Sequence, residues 1–184
     1  MEQNKKKEYA IFAGGCFWCV EHDLRNLDGV LDAVSGYTGG ETKNPSYENH
    51  FGHLEAVKVI YDFNKTNFKK LCQFFLDNID PTDAGGQFTD RGESYQTAIF
   101  YKTEDEKNIA QGLLKELDES KIYNNKVVVK ILPEKEFFKA EEYHQRYAEK
   151  NPAHYNAYKE GSGRSNFQAL TCAIRDQKKI QWKD

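Results

Sequence analysis

The residues able to do chemistry gather first at Gly14-Gly15-Cys16-Phe17-Trp18-Cys19. A cysteine behind two glycines, where an apolar run gives way to helical spacing, stands at a strand–turn–helix junction. A thiol at a helix N-terminus meets the positive end of the dipole and free backbone N–H groups, and both favour the thiolate. The thiolate is the nucleophile, so Cys16 is expected to be a reactive sulfur. Phe17 and Trp18 beside it suit a small apolar pocket. The plainer alternative is a buried structural cysteine beside aromatics that only pack the helix start. Glu55 is the second centre. In a strand from His53, the residues His53, Glu55, Val57, Val59 and Tyr61 share one face. Desolvated there, Glu55 keeps its proton near neutral pH and can donate it; at a solvated edge it is an ordinary carboxylate. Tyr47 and Tyr95 each follow a loop, and Asp90-Arg91-Gly92 leads into Tyr95. A tyrosine hydroxyl can hydrogen-bond a developing oxyanion without carrying charge itself. With 11 tyrosines in the chain, most of them simply pack.

His22, His50, His53, His144 and His154 show no metal-ligand spacing with the cysteines. Cys16-x-x-Cys19 has no second close pair, so no metal site is expected. Cys72, among Leu71, Phe74 and Phe75, reads as core. Cys172 lies in the polar C-terminal stretch, as a mobile thiol able to swing back onto Cys16 or as an incidental cysteine.

The elements that must position these groups follow from periodicity and turn chemistry. Residues 9–13 read as a strand. Val20, Leu24 and Leu27 recur on one helix face, and Asp28-Gly29 closes that helix. Strands are expected at 30–37 and 53–62, separated by a Gly/Asn/Ser-rich loop over 38–46. Asn67 caps a helix running to about Asn78. A second loop spans 80–87, and a strand follows at 95–101. Thr103 and Glu106 form a capping box for a helix ending near Ser120. A strand at 126–132 is stopped by Pro133. A short helix from Ala140 to Lys150 carries Tyr143, His144 and Tyr147, and Asn151-Pro152 ends it. The order β-α-β-β-α-β predicts an α+β two-layer sandwich with a ferredoxin-like core, an extra helix and strand, and a loosely packed C-terminal tail. Residues 1–160 are expected to form the catalytic domain. Gly161-Ser162-Gly163 is expected as a hinge to a tail over 161–184.

Composition excludes several functions. The 184 residues carry a net charge of −3 and show no basic stripe, which argues against nucleic acid as a partner. No apolar run approaches the ~20 residues that span a bilayer. Lys5-Lys6-Lys7 precedes an apolar stretch, but Glu8 and Gly14-Gly15 interrupt any signal-peptide pattern. Four cysteines with one close pair do not make a secreted disulfide scaffold. A reducing cytoplasm and a monomer are expected.

From Tyr9 to about Pro152 the chain resembles the peptide methionine-S-sulfoxide reductases of the MsrA type. The resemblance rests on Gly14-Gly15-Cys16-Phe17-Trp18, Gly36-Tyr37-Thr38-Gly39-Gly40, Asn44-Pro45-Ser46-Tyr47 and Gly52-His53-Leu54-Glu55-Ala56-Val57. Asp80-Pro81-Thr82, Asp90-Arg91-Gly92-x-x-Tyr95 and Glu142-Tyr143-His144-Gln145 follow in the family's order. It implies Cys16 as nucleophile and Glu55 as the acid that protonates the sulfoxide oxygen. Tyr47 and Tyr95 would hydrogen-bond that oxygen, and Asp90 would hold a water or a tyrosine. Phe17 and Trp18 would receive the S-methyl group. Attack leaves Cys16 as a sulfenic acid, which a second thiol condenses to a disulfide. A thioredoxin- or glutaredoxin-type dithiol then restores the thiol, with no metal or organic cofactor. Two features depart from the family. Only Glu48-Asn49-His50-Phe51 separates Tyr47 from the Gly-His strand, and the usual cysteine-bearing glycine-rich tail is altered. The resolving cysteine is therefore Cys172, which the sequence favours, or Cys19, or absent. Two other functions remain open at this level. Cys16 and Cys19 could form a dithiol–disulfide oxidoreductase pair, or the aromatics could serve a module that only binds methionine-bearing peptides.

Overall fold

The computed structural model describes residues 6–178 and 181–182. The chain runs β1 (Lys7–Gly14), α1 (Phe17–Arg25), β2 (Val30–Thr38), β3 (Leu54–Asp62), α2 (Phe68–Asp77) and a small hairpin of β4 (Gly86–Gln87) and β5 (Asp90–Arg91). It continues through β6 (Thr97–Tyr101), α3 (Glu104–Glu119), β7 (Lys130–Pro133), β8 (Phe138–Lys139), α4 (Tyr147–Lys150), α5 (Pro152–Gly161) and α6 (Arg164–Lys178). The main sheet has the order β7-β6-β1-β3-β2-β8. Its inner four strands, β6-β1-β3-β2, pair antiparallel throughout, which is the expected ferredoxin-like arrangement. β7 adds a parallel edge and β8 an antiparallel one.

Strand alternation divides the apolar residues between two faces. Ala10 and Phe12 of β1 join Val57, Val59 and Tyr61 of β3 beneath the helices, with Leu24, Leu71, Phe75 and Leu113. Ile11, Ala13, Leu54, Ala56, Ala98 and Phe100 line the opposite face, under Tyr9, Leu132 and Phe137. The caps read from sequence are present. Asn67 accepts from Lys70 N at 3.0 Å, and Thr103 from Glu106 N at 3.2 Å. Glu106 reaches back to Lys102 N at 2.7 Å, one residue short of the reciprocal capping-box bond.

Three elements differ from expectation. The strand expected at 126–132 begins only at Lys130 and includes Pro133, which pairs with Tyr101. The preceding amides are used elsewhere: Val128 N donates to Pro81 O at 2.8 Å and Val127 N to the Asp118 carboxylate at 3.0 Å. Pro133 is tolerated because β7 is an edge strand. The helix expected over 140–150 is a single 3-10 turn at Glu142–His144 and the one-turn α4, interrupted at Arg146 with φ 54°. Its polar groups bind neighbouring elements instead. The Gln145 side chain accepts from Ser35 N at 3.0 Å and donates to Ser35 O at 2.9 Å, acting as an extra partner for β2. Arg146 N donates to the buried Glu21 carboxylate at 3.0 Å. Pro152 opens a further helix, α5, as well as ending α4, because its missing N–H costs nothing in a first turn.

The stretch past Gly163, expected as a loosely packed tail, forms α6. Its first residue, Arg164, is 1% exposed. The guanidinium donates to Gly14 O at 2.9 Å and Asn78 O at 3.2 Å and lies 4.8 Å from the Phe88 ring. The glycine hinge is a turn between two helices, with Gly163 at φ +82°. Charge-assisted bonds of this kind contribute about 2 kcal/mol. Arg164→Ala is expected to lower stability by about that amount and to strip protection from the amides of 164–178. Urea denaturation and hydrogen exchange check it; unchanged protection would mean that α6 is not anchored by Arg164.

Candidate active site

Two glycines make the turn that presents Cys16. A Cβ on Gly14 would lie 2.7 Å from the Phe75 ring. Gly15 has φ +80°, and a Cβ there would lie 2.5 Å from Gln87 Cβ. Both positions therefore require glycine. Cys16 follows as the N-cap of α1, and its carbonyl accepts from Cys19 N at 3.2 Å. It is 6% exposed.

β3 delivers Glu55 to the same helix end. Its carboxyl is 2% exposed and accepts from Phe17 N at 3.0 Å, one of the N–H groups that the first turn leaves free. Burial pushes its pKa up to about 8, against the pull of that hydrogen bond and with the help of the Asp90 charge. Glu55 is thus the desolvated carboxyl and not the edge one, and it holds a proton at neutral pH.

Cys16 differs from the simple helix-dipole expectation. Burial pushes its thiol well above the ordinary value, with the Cys19 hydrogen bond and the Glu55 charge adding to the rise. The Tyr158 hydroxyl hydrogen-bonds the sulfur and works in the opposite direction. One helix N-terminus does not compensate for losing almost all hydration. Cys19 is the more acidic partner: the Cys16 hydrogen bond pulls it down against burial, and the Arg164 charge adds to that pull.

The other predicted residues converge here. The Tyr47 and Tyr95 hydroxyls both feel the charges of Glu55 and Cys16, and Tyr95 pulls the Tyr47 phenol down a little against burial. Burial raises both phenols, so they stay protonated donors. Tyr47 reaches this position from its short loop because its backbone N donates to the Glu141 carboxylate at 2.8 Å. Burial opposes charge on Glu141, but that bond and one from the Tyr37 hydroxyl at 2.9 Å hold its pKa below the usual value. His53, on the face with Glu55, ties the loop down, with Nε2 2.8 Å from Thr42 O. Asp90 enters from β5 and accepts a short hydrogen bond from Tyr158.

The aromatic pair divides. Phe17 is fully buried under Tyr37, Tyr47 and His144, with His144 at 4.9 Å. Trp18 is half-buried. It stacks on Tyr147 at 3.8 Å, and its Nε1 donates to His144 Nδ1 at 3.0 Å. His144 is thereby fixed as the tautomer protonated at Nε2, and burial keeps it neutral. Tyr47 and Tyr143 flank His144 at 4.5 and 4.1 Å, which completes an aromatic wall.

Cys19, and not Cys172, is the cysteine beside Cys16. Cys172 is exposed on α6, and Cys72 is buried in the core. Sequence reasoning quoted His144 without a role and did not find Tyr158, Tyr155 or Arg164 at the cysteines. The two tyrosines come from α5, whose start was read only as a stop, and Arg164 from α6, which was read as a tail. Among the described residues no cluster of His, Cys, Asp and Glu is placed to hold a metal ion, and no helix is long and apolar enough to cross a membrane.

Comparison with known proteins gives a concordant picture. A family model described as peptide methionine sulfoxide reductase matches residues 8–175. The peptide methionine sulfoxide reductase MsrA of Bacillus subtilis (strain 168) is 47% identical over 168 residues, which covers 89% of this chain and 95% of that protein. Mxr1 from Saccharomyces cerevisiae in reduced form superposes with a TM-score of 0.74 at 30% identity, covering 83% of this chain and 90% of that one. Mxr1 in complex with Trx2 superposes with a TM-score of 0.56 at 25% identity, covering 80% and 89%.

The raised Glu55 pKa has a consequence for stability. Between its ordinary value near 4.5 and about 8, the unfolded chain ionises Glu55 while the folded chain keeps it neutral. Rising pH through that window therefore favours unfolding. Glu55→Gln keeps an acceptor for Phe17 N and cannot ionise. Its melting temperature is expected to exceed that of the unsubstituted protein at pH 8.5, with the gap shrinking towards pH 4.5. A gap independent of pH would show that Glu55 is not buried neutral.

Proposed function

This chain belongs to the peptide methionine sulfoxide reductase family, and on that premise we propose how its site divides the work. The protein is an oxidoreductase that reduces methionine sulfoxide to methionine, a repair reaction. Cys16 attacks the sulfoxide sulfur. Glu55, neutral at the outset, gives its proton to the sulfoxide oxygen, and Tyr47 and Tyr95 hydrogen-bond that oxygen as charge builds on it. Asp90 orients the hydroxyls around it. Trp18 and the aromatic wall over Phe17 receive the S-methyl group and set the preference for the S epimer. The observation that carries this reading is the convergence of a thiol and a proton-bearing carboxyl at one helix start. A sulfoxide sulfur is a poor electrophile until its oxygen is protonated, so neither group suffices alone.

Methionine leaves, and Cys16 keeps the oxygen as a sulfenic acid. Cys19 then resolves it: its sulfur bonds to Cys16, and the oxygen departs as water. Cys19 replaces Cys172 in this role because it lies in the same helical turn as Cys16, its N–H donating to Cys16 O at 3.2 Å, and is the more acidic thiol. An external dithiol reduces the disulfide by exchange. The Mxr1–Trx2 complex makes a thioredoxin-type protein the best candidate, with a glutaredoxin-type protein second. No metal or organic cofactor takes part, and the enzyme works as a cytoplasmic monomer.

A single turnover without reductant tests this. Reduced protein mixed with methionine S-sulfoxide is expected to yield about one methionine per chain and to lose two thiols. The R epimer is expected to yield none. Cys16→Ser abolishes the yield. Cys19→Ser preserves it but loses one thiol only, and Cys172→Ser behaves like the unsubstituted protein. Two thiols lost in Cys19→Ser and one in Cys172→Ser would return the resolving role to Cys172. No methionine from either epimer would refute the scheme.

A further inference from the structure

Tyr47 is 38% exposed and sits in a short loop, so packing alone does not fix its hydroxyl. The loop closes on itself as a four-residue turn, in which Ser46 and Asn49 exchange backbone bonds at 3.1 and 3.0 Å. Those bonds shape the turn but do not attach it to the sheet. The His50 ring, just after the turn, stacks on Tyr37 at 5.0 Å, a contact that can slide. A directional attachment comes from the Glu141 carboxylate, 94 residues along the chain from Tyr47. One of its oxygens accepts from Tyr47 N at 2.8 Å, and the other accepts from the Tyr37 hydroxyl at 2.9 Å. Tyr37 is fully buried on β2 and stands opposite Glu55 in the pairing of β2 with β3. Residues paired across antiparallel strands are neighbours on one face of the sheet. The carboxylate therefore ties the backbone of Tyr47 to the strand pair that carries Glu55. Glu141 is itself held. Ala140 N, just before it, donates to Ser35 O at 2.9 Å, and the Glu141 carbonyl accepts from His144 N at 2.9 Å.

We propose that Glu141 is a positioning residue for the reduction: its carboxylate clamps Tyr47 to Tyr37 and so holds the Tyr47 hydroxyl where the sulfoxide oxygen arrives. The inference rests on Tyr47 hydrogen-bonding that oxygen. Glu141 touches no substrate atom in this role and exchanges no proton. It acts through reach and through its two acceptor oxygens, which take both bonds at once. A donor to a developing oxyanion is effective only where it meets the oxygen, and a displacement of about 1 Å costs about 100-fold in rate. That bond strengthens as charge builds on the oxygen. Loss of the clamp therefore slows the chemical step more than it weakens substrate binding.

The test follows single-turnover methionine formation against the concentration of methionine S-sulfoxide. It compares the unsubstituted chain with Glu141→Ala, Glu141→Gln, Glu141→Asp, Tyr47→Phe and the double variant of Glu141→Ala with Tyr47→Phe. Glu141→Ala is expected to lower the saturating rate about 10-fold and to change the half-saturating concentration by less than about threefold. Glutamine keeps the reach: its oxygen can accept from Tyr47 N while its NH2 donates to the Tyr37 oxygen. Glu141→Gln is therefore expected to recover the rate to within about threefold of the unsubstituted protein. Glu141→Asp keeps the charge but is one methylene too short to meet both partners, and is expected to remain about as slow as Glu141→Ala. Tyr47→Phe is expected to slow methionine formation about 10- to 100-fold. Adding Glu141→Ala to it is expected to cost less than about twofold more, because the hydroxyl to be positioned is gone. Three results would overturn the clamp. They are a Glu141→Ala rate within about twofold of the unsubstituted protein, a Glu141→Asp rate that matches or exceeds that of Glu141→Gln, and a loss as large on the Tyr47→Phe background as without it. If Glu141→Ala does not fold, the comparison of Gln with Asp decides alone. A Tyr47→Phe rate within about twofold of the unsubstituted protein overturns Tyr47 as the donor and the clamp with it. A slow Tyr47→Phe beside a fast Glu141→Ala overturns the clamp and leaves the donor standing.

Discussion

A single hydrogen bond, Phe17 N to the Glu55 carboxyl at 3.0 Å, joins the sheet to the start of the reactive helix. It fixes β3 against the N-terminus of α1 at the residue after Cys16. It also satisfies a backbone donor that would otherwise be buried and unpaired. The partner had to be a side chain, because Gly14-Gly15 places the helix start over the sheet and out of reach of water. A carboxyl in that position is too buried to ionise readily, and its retained proton is a result of the packing. The packing that organises the turn therefore also produces the acid, against the pull of the Phe17 bond itself.

The same burial acts on the nucleophile, with the opposite apparent merit. It pushes the Cys16 thiol up, so the resting site holds a neutral thiol, a neutral carboxyl and neutral phenols. Two negative charges this close in a poorly solvated site would each raise the other. Keeping both groups protonated avoids that repulsion until a sulfoxide arrives. In the proposed scheme its polar S–O bond then offers the oxygen to Glu55 and the sulfur to Cys16, and deprotonation of one group is matched by proton delivery from the other. A site that prevents premature ionisation also protects an idle thiol from stray oxidants, because the protonated form is the unreactive one.

Much of this was legible in the chain. Period-two alternation in 53–62 placed Glu55 on the face of Val57 and Val59, and the structure puts it beneath the helices with them. The capping residues Asn67 and Thr103 marked their helix starts because an N-cap bond is local, three residues long and independent of tertiary context. The failures share a physical origin. Val127 and Val128 looked like strand, yet their amides bond to Asp118 and Pro81, partners that only the assembled fold supplies. The 140–150 stretch looked helical, yet Gln145 and Arg146 bond to β2 and α1. The sign of the Cys16 shift was missed because a helix dipole can be read from sequence, whereas the loss of hydration at one sulfur cannot.

The C-terminal stretch carries the largest revision and the clearest reason for it. Read as a polar segment behind a glycine hinge, 161–184 suggested a loose arm that carries Cys172 to the active site. The structure instead fills the space over the cysteines with α5 and α6. Tyr155 and Tyr158 lie against the sulfurs, and Arg164 is locked onto the carbonyl of Gly14. A mobile arm is not needed when the second thiol lies in the same helical turn as the first. In the proposed scheme the sulfenic acid at the N-cap of α1 has Cys19 in its own helical turn, and the nearby Arg164 charge favours the Cys19 thiolate. In that scheme, anchoring the tail and resolving locally are two sides of one solution. Arg164 fastens the start of α6 to the carbonyl of Gly14 and pulls the Cys19 thiol down, so one cation both anchors the helix and favours the Cys19 thiolate.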